Sequence, residues 1–172
     1  MVEAQRLDDI AGLLRRIGQA AGSTGGETAA RAFEARLSAL RLRNAKARPV
    51  RVFFEIWHSP LMTVSGRHFA SDAIDVCHGV NVFADAPGLA PQVSAEAVLA
   101  ADPEAIIGSA SNETSRTAAE NWRRFPEQRA VRSGAVFHVD PDLIQRQTPR
   151  ILDGIEQICS GLDRVRAVRA AQ

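Results

Sequence analysis

Residues 50–57, VRVFFEIW, form a short run of β-branched and aromatic residues that follows Pro49. The run is too short for a helix of this kind and is bounded by helix breakers, so it predicts a buried β-strand. Three later runs have the same character and predict further strands: NVFA at 81–84, AIIGS at 105–109 and AVFHV at 135–139.

Helical patterns separate these strands. They lie near 68–77, 94–101 and 113–123, and a last helix opens at Thr148-Pro149 and carries an apolar stripe of Ile151, Leu152, Ile155, Ile158 and Leu162. Strands that alternate with helices predict an α/β fold, a Rossmann-like parallel sheet with helices on both faces. Ligands of such sheets bind at the carboxyl ends of the strands, here in the loops 57–66, 83–94, 108–115 and 139–149.

Two helices are predicted ahead of the first strand. The first covers residues 7–21 and ends at the GSTGG run, with one apolar face of Leu7, Ile10, Leu14, Ile17 and Ala21. The second runs from Glu27 to about Lys46, roughly 30 Å at 1.5 Å per residue, with a stripe of Ala30, Phe33, Leu37 and Leu40.

The composition limits the function classes. The chain has 172 residues, a length typical of one domain, and 21 Lys and Arg balance 20 Asp and Glu without a basic run. This balance argues against binding to nucleic acid or to a membrane surface. The first 18 residues lack the apolar core of a signal peptide, and no later segment is long enough to span a bilayer. Cys77 and Cys159 lack metal-site spacing, so they are either two buried thiols or one bridge.

No motif for nucleophilic catalysis, phosphate binding or zinc binding is present in the sequence. The four histidines are spread over different elements, so surface or hydrogen-bonded histidines are expected; a metal site shared by His58 and His138 is a minor alternative. Trp57 lies at a strand end, where its indole either forms a flat apolar wall for a ligand or packs at the edge of the hydrophobic core.

Two charged features lie in the other loops at the carboxyl ends of the strands. Asp142 and Arg146 are four residues apart and pair if their segment makes a helical turn. Glu96 follows the capping residue Ser94 and lies in the first turn of a helix, where the helix dipole favours a carboxylate. From spacing alone, both features are interpreted as local stabilisation.

Residues 60–107 and 137–159 resemble the C-terminal lobe of periplasmic vitamin B12-binding proteins, within the class that binds cobalamin, haem and ferric siderophores. The most specific part is PQVSxExVLxxxPEAII at 91–107, and R-x-x-P-R-I at 146–151, before a helix with a cysteine, supports it. The likeness extends over 50–165. The family has two α/β lobes joined by one long helix, binds its ligand between them and delivers it to an ABC importer.

The resemblance implies a division of the chain. Residues 1–24 correspond to the terminal helix of the first lobe, 25–48 to the long connector helix between lobes, and 49–172 to the C-terminal ligand-binding lobe. Most of the first lobe and the export signal are then expected to be missing from this sequence. The family is periplasmic, and its members bind their ligand without catalysing a reaction or using a cofactor.

The resemblance also implies residue roles. Glu96 matches the glutamate that docks on the transporter permease, and Cys77 and Cys159 match cysteines of the second lobe, which predicts a disulfide. Ala90 stands where the family has a ligand-facing tryptophan, so that contact is expected either to be lost or to move to Leu89 or Trp57. The other residues implied in cobalamin binding are Leu61, Met62, Asp142 and Arg146.

Four alternatives remain open at this stage. Haem or a ferric siderophore is the next ligand class, although the chain has no tyrosine to serve as a haem ligand, which favours cobalamin. A doubly wound enzyme domain without a recognisable motif, and a structural remnant without ligand affinity, are the other two functions. A homodimer is also possible if the connector helix exposes an apolar stripe.

Overall fold

One parallel sheet organises the computed structural model, which describes residues 6–109 and 120–170. Its strands are β1 (Val50–Glu55), β2 (Gly79–Asn81), β3 (Ala105–Gly108) and β4 (Val136–His138), in the order β2-β1-β3-β4. All three pairings are parallel. The predicted α/β class and parallel sheet are therefore confirmed.

Helices cover both faces of this sheet. They are α1 (Asp9–Ala20), α2 (Gly25–Asn44), α3 (Phe69–Val76), α4 (Ala95–Ala101), α5 (Arg129–Arg132), α6 (Pro141–Ile144) and α7 (Ile151–Ala170). Val52, Phe53 and Phe54 of β1 point alternately to opposite faces, yet all three are fully buried. Such a strand must have packed elements on both sides, which explains its continuous apolar sequence.

Part of the sequence prediction lies outside the described residues. Only 120–123 of the predicted helix 113–123 are described, and these four residues are helical. The loop 108–115 is described only up to Ser109. Among the described residues, no helix combines the length and the apolar character that crossing a bilayer requires.

Helices α1 and α2 cross at a pair of glycines. A Cβ atom at Gly18 would lie 2.7 Å from the Cα of Gly26, so only glycine permits this approach. Gly18 is buried in the crossing, whereas Ile17 is 56% exposed. Ile17 and Ala21, two members of the predicted apolar face, are therefore exposed, because the contact face of α1 is rotated toward the glycine.

The long helix α2 is an integral part of the core. Its predicted stripe of Ala30, Phe33, Leu37 and Leu40 is buried, and α2 contacts α1, α3 and α7. Its exposed large apolar residue is Leu42, at 75% exposure. The exposed apolar stripe that motivated a homodimer is therefore absent from α2, because the helices around it cover that face.

A disulfide joins α3 to the last helix. Cys77, at the C-terminal end of α3, is bonded to Cys159 of α7, with a Cα–Cα distance of 4.8 Å. Both cysteines are fully buried, and the Asn44 side chain donates a hydrogen bond to the Cys159 sulfur. The predicted pairing is present, and of the two alternatives that spacing left open, the bridge is the correct one.

Candidate ligand-binding site

Two loops at the carboxyl ends of β1 and β2 join into one platform. The backbone N–H of Met62 donates to Trp57 within the first loop, at 2.9 Å. Thr63 N–H donates to Pro91 O, and Val93 N–H donates to Leu61 O, each at 3.0 Å. These bonds tie the loop after β1 to the Pro-rich loop after β2, so residues about 30 positions apart lie side by side.

A cavity of about 360 Å³ opens beside this platform. Its lining side chains are Ile56, Trp57, Met62, His68, Phe69 and Gln145. They come from the loop after β1, the start of α3 and the loop after α6. The wall is mostly apolar and aromatic with few polar groups, which is the composition of a site for a small organic molecule.

The predicted ligand residues are distributed between this cavity and its surroundings. Trp57 and Met62 line the cavity, and Trp57 is half exposed, with its indole N–H bonded to Ser59 O at 2.9 Å. Leu61 packs against the core, and Leu89 is 53% exposed on the neighbouring loop. Leu61 and Leu89 are therefore on the same platform as Trp57 but outside the lining of this cavity.

Asp142 and Arg146 lie in and just after the short helix α6. The Arg146 guanidinium bonds the Asp142 carboxylate at 2.7 Å, and both side chains are about two-thirds exposed. The predicted pairing is confirmed. Between them in sequence, Gln145 lines the cavity, so the pair belongs to the same edge of the sheet and is accessible to a ligand there.

Gln145 is held in place by Ser109, the residue that follows β3. Its side-chain Nε2 donates to Ser109 O at 2.7 Å and to Ser109 Oγ at 3.2 Å. Ser109 N–H in turn donates to the backbone oxygen of Glu55 at 2.9 Å. The loop after α6 is thus fastened to the ends of β3 and β1, which fixes the third side of the cavity.

A buried polar group lies at the end of β1. The Glu55 side chain, 1% exposed, accepts a 2.6 Å hydrogen bond from the Trp122 indole and lies 3.1 Å from His58 Nδ1. The other ring nitrogen of His58 contacts the Asn121 amide at 2.7 Å. This network is structural: it anchors the segment containing Trp122 to the sheet, and Phe53 packs edge-on against the same indole.

Three histidines, His58, His68 and His78, have hydrogen-bonded side chains, as the sequence predicts. His58 bonds Glu55, His68 caps α3, and His78 Nδ1 bonds Ala47 O. Over residues 6–109 and 120–170, no group of three or more His, Cys, Asp and Glu is arranged to hold a metal ion.

Glu96 is exposed in the first turn of α4 and does not line the cavity. Ser94 caps this helix by accepting a hydrogen bond from Ala97 N–H at 3.1 Å, as predicted. The Glu96 backbone N–H and the Ser94 hydroxyl stabilise the carboxylate and lower the pKa of Glu96. Glu96 is therefore a fixed negative charge at neutral pH.

Sequence reasoning missed four cavity residues: Ile56, His68, Phe69 and Gln145. His68 and Phe69 were assigned only to a helix start, and Gln145 only to a loop. The one available signal was position, since all four lie in or beside the loops at the carboxyl ends of the strands. Which of these loop residues turn toward a common cavity depends on contacts between loops.

Comparison with known proteins identifies clear relatives. The vitamin B12-binding protein of Vibrio cholerae is 35% identical over 165 residues, which are 93% of this chain and 58% of the relative. The vitamin B12-binding protein of Vibrio parahaemolyticus is 32% identical over 164 residues, 95% of this chain and 59% of that protein. Over this shared part, the chain is homologous to these vitamin B12-binding proteins. These relatives are binding proteins.

The solved structures agree with this relationship to vitamin B12-binding proteins. The crystal structure of the periplasmic vitamin B12-binding protein of Vibrio cholerae matches with a TM-score of 0.85 and 33% identity, over 95% of this chain and 64% of that one. A periplasmic haem-binding protein from Roseiflexus matches with a TM-score of 0.80 at 21% identity, over 94% of this chain and 65% of that one, which shows a shared fold.

The chain spans less than two thirds of these proteins: 58% of the vitamin B12-binding protein of Vibrio cholerae in sequence and 64% of its crystal structure. No protein-family model matches the chain.

Proposed function

We propose that this chain is the C-terminal part of the substrate-binding component of an ABC importer, which binds cobalamin in a cleft and delivers it to the membrane permease. The observation that carries the proposal is the 35% identity to the vitamin B12-binding protein of Vibrio cholerae over 93% of the chain. The proposed location is the periplasm. Cobalamin is the cargo of this protein, which acts by binding and not by catalysis.

The proposed division follows the two-lobed architecture. Residues 1–24 end a first lobe, 25–48 connect the lobes, and 49–172 form the ligand-binding lobe. The burial of α2 against α1, α3 and α7 supports a stiff connector, because a helix fixed along its length transmits the position of one lobe to the other.

The proposed cobalamin contacts are made by the platform and by the loop that contains α6. A corrin ring has apolar edges and a periphery of amide groups, so it needs apolar walls with a few donors and acceptors. Apolar contact is assigned to Trp57, Leu61, Met62 and Leu89, and polar contact to Asp142 and Arg146. The cavity supports the assignment of Trp57 and Met62, which line it, since it offers an apolar recess at the expected edge of the sheet.

Glu96 is proposed to dock on the permease. It is an exposed, ionised carboxylate on a capped helix and lies outside the lining of the cavity. Arginines on a permease surface would recognise it through charge-assisted hydrogen bonds.

The test is a calorimetric titration with cyanocobalamin of this chain and of a form extended by the first lobe of the Vibrio cholerae relative. The extended form is expected to bind more tightly, because a single lobe offers only half of a cleft. Hemin and a ferric siderophore are titrated in parallel as the competing ligand classes. If neither form binds cyanocobalamin, or if hemin binds more tightly, the proposed cobalamin function is wrong.

A further inference from the structure

His68 is held rigidly at the edge of the cavity. It is the N-cap of α3, and its Nδ1 accepts a 3.1 Å hydrogen bond from Ala70 N–H. The imidazole also stacks on the Phe69 ring, with 4.4 Å between centroids and 28° between planes. A cap bond and a stacked ring together fix the orientation of the side chain.

This cap bond determines the protonation state of His68. A nitrogen that accepts a hydrogen bond carries no proton, so the proton of the neutral imidazole is on Nε2. A second proton on Nδ1 would face the Ala70 N–H and break the cap. Burial acts in the same direction and lowers the pKa of His68. The side chain is therefore a neutral ring with an N–H donor at Nε2.

Within the described residues, this donor has no protein partner. The other polar side chain that lines the cavity is Gln145; its Nε2 donates to Ser109 O and Oγ, and its Oε1 accepts no hydrogen bond from His68. The other lining residues, Ile56, Trp57, Met62 and Phe69, offer apolar surface apart from the Trp57 indole N–H, which bonds Ser59 O. His68 Nε2–H is thus an unpaired donor on an otherwise apolar wall, available to a polar group of a ligand.

We propose that His68 is a specificity-determining residue: its Nε2–H donates to an amide carbonyl oxygen of the ligand and disfavours a carboxylate at the same position. This inference rests on the proposed cobalamin function, and it identifies the chemical group of the ligand that His68 recognises. An amide oxygen is satisfied by one neutral donor. A carboxylate in an apolar cavity needs a compensating positive charge, and the Ala70 cap opposes the formation of an imidazolium at this site. The Arg146 guanidinium lies outside the lining of the cavity and is already paired with the Asp142 carboxylate.

A preference for an amide over a carboxylate would distinguish two ligand classes whose rings are similar in size. The corrin periphery carries neutral amide side chains, whereas the porphyrin of haem carries propionate carboxylates. Both present a flat apolar ring to Trp57 and Met62, so apolar contact alone discriminates weakly between them. A single fixed neutral donor makes the binding affinity differ, because it forms a hydrogen bond with the amide oxygen but does not neutralise the charge of the carboxylate.

The test compares dicyanocobinamide with dicyanocobyrinic acid, two corrins with the same metal and axial ligands whose periphery is amide or carboxylate. In the extended, two-lobed form, His68→Ser keeps an oxygen that caps α3 but removes the ring donor. The variant is expected to lower the amide-to-carboxylate affinity ratio by about tenfold, the loss of one hydrogen bond in an apolar site. His68→Ala removes the cap as well and controls for the stability of α3, which urea unfolding measures.

An independent measurement needs no variant. Nitrogen-15 NMR of histidine-labelled chain is expected to show the Nε2–H tautomer of His68 at neutral pH and a change at Nε2 when dicyanocobinamide is added. An unchanged affinity ratio in His68→Ser, or a protonated Nδ1, would overturn this inference while cobalamin binding stands. If the extended wild-type form binds neither corrin, the inference and the proposed function fail together.

Discussion

Replacing Trp57 by alanine tests the apolar wall of the site. The indole is 50% exposed in the free protein and lines the cavity beside Met62. A tryptophan buries about 150–250 Å² when fully covered, so about 75–125 Å² remains for a ligand to cover. At about 25 cal/mol per Å², this area contributes up to about 2–3 kcal/mol. The dissociation constant for cyanocobalamin is therefore expected to rise by up to about 30- to 150-fold in Trp57→Ala.

Isothermal titration calorimetry of the extended form measures this change. Trp57→Phe keeps an aromatic face and should lose less affinity. Leu42→Ala is the matched control, because Leu42 is a large apolar residue, 75% exposed, on α2 and away from the cavity. The free energy of unfolding in urea should change by less than about 1 kcal/mol, since the side chain is half exposed. A Trp57→Ala dissociation constant within twofold of wild type would refute the reasoning.

Four further changes test other parts of the molecule. Arg146→Ala in the two-lobed form should weaken cobalamin binding by about 1–3 kcal/mol, because a hydrogen bond from a charged group to a corrin amide is lost; an unchanged affinity would remove Arg146 from the site. Glu96→Ala should leave cobalamin affinity intact and slow association with the permease, most strongly at low salt, since exposed charges govern encounter; loss of cobalamin binding would contradict a docking role. Replacing Cys77 and Cys159 by alanine should lower the free energy of unfolding in urea by about 2–4 kcal/mol, because the bridge spans 82 positions of the sequence; two free thiols by mass in unreduced, alkylated wild-type protein would disprove the bond. Glu55→Leu should destabilise the chain by about 1–3 kcal/mol in the same assay, because the buried Trp122 N–H loses its acceptor; wild-type stability would show that this network contributes little.

The sequence by itself determined the elements whose signal is local. The apolar run of β1, the stripe of α2 and the Ser94 cap of α4 each depend on residues within a few positions of one another. The resemblance to vitamin B12-binding proteins added what local patterns leave open, above all the pairing of Cys77 with Cys159. Helical periodicity did not predict the exposure of Ile17, because that exposure follows from the approach of Gly18 to Gly26 in another helix.

Only the tertiary structure decided which loop residues form the cavity. His68 looked like an ordinary helix start, and its free Nε2–H follows from a cap bond and from the surfaces that Trp57 and Gln145 bring to it. Likewise, Glu55 and Trp122 are 67 positions apart, and no spacing rule connects them. Helix and strand geometry fixes the direction of neighbouring side chains, whereas the convergence of loops depends on the order in which distant strands pack into one sheet.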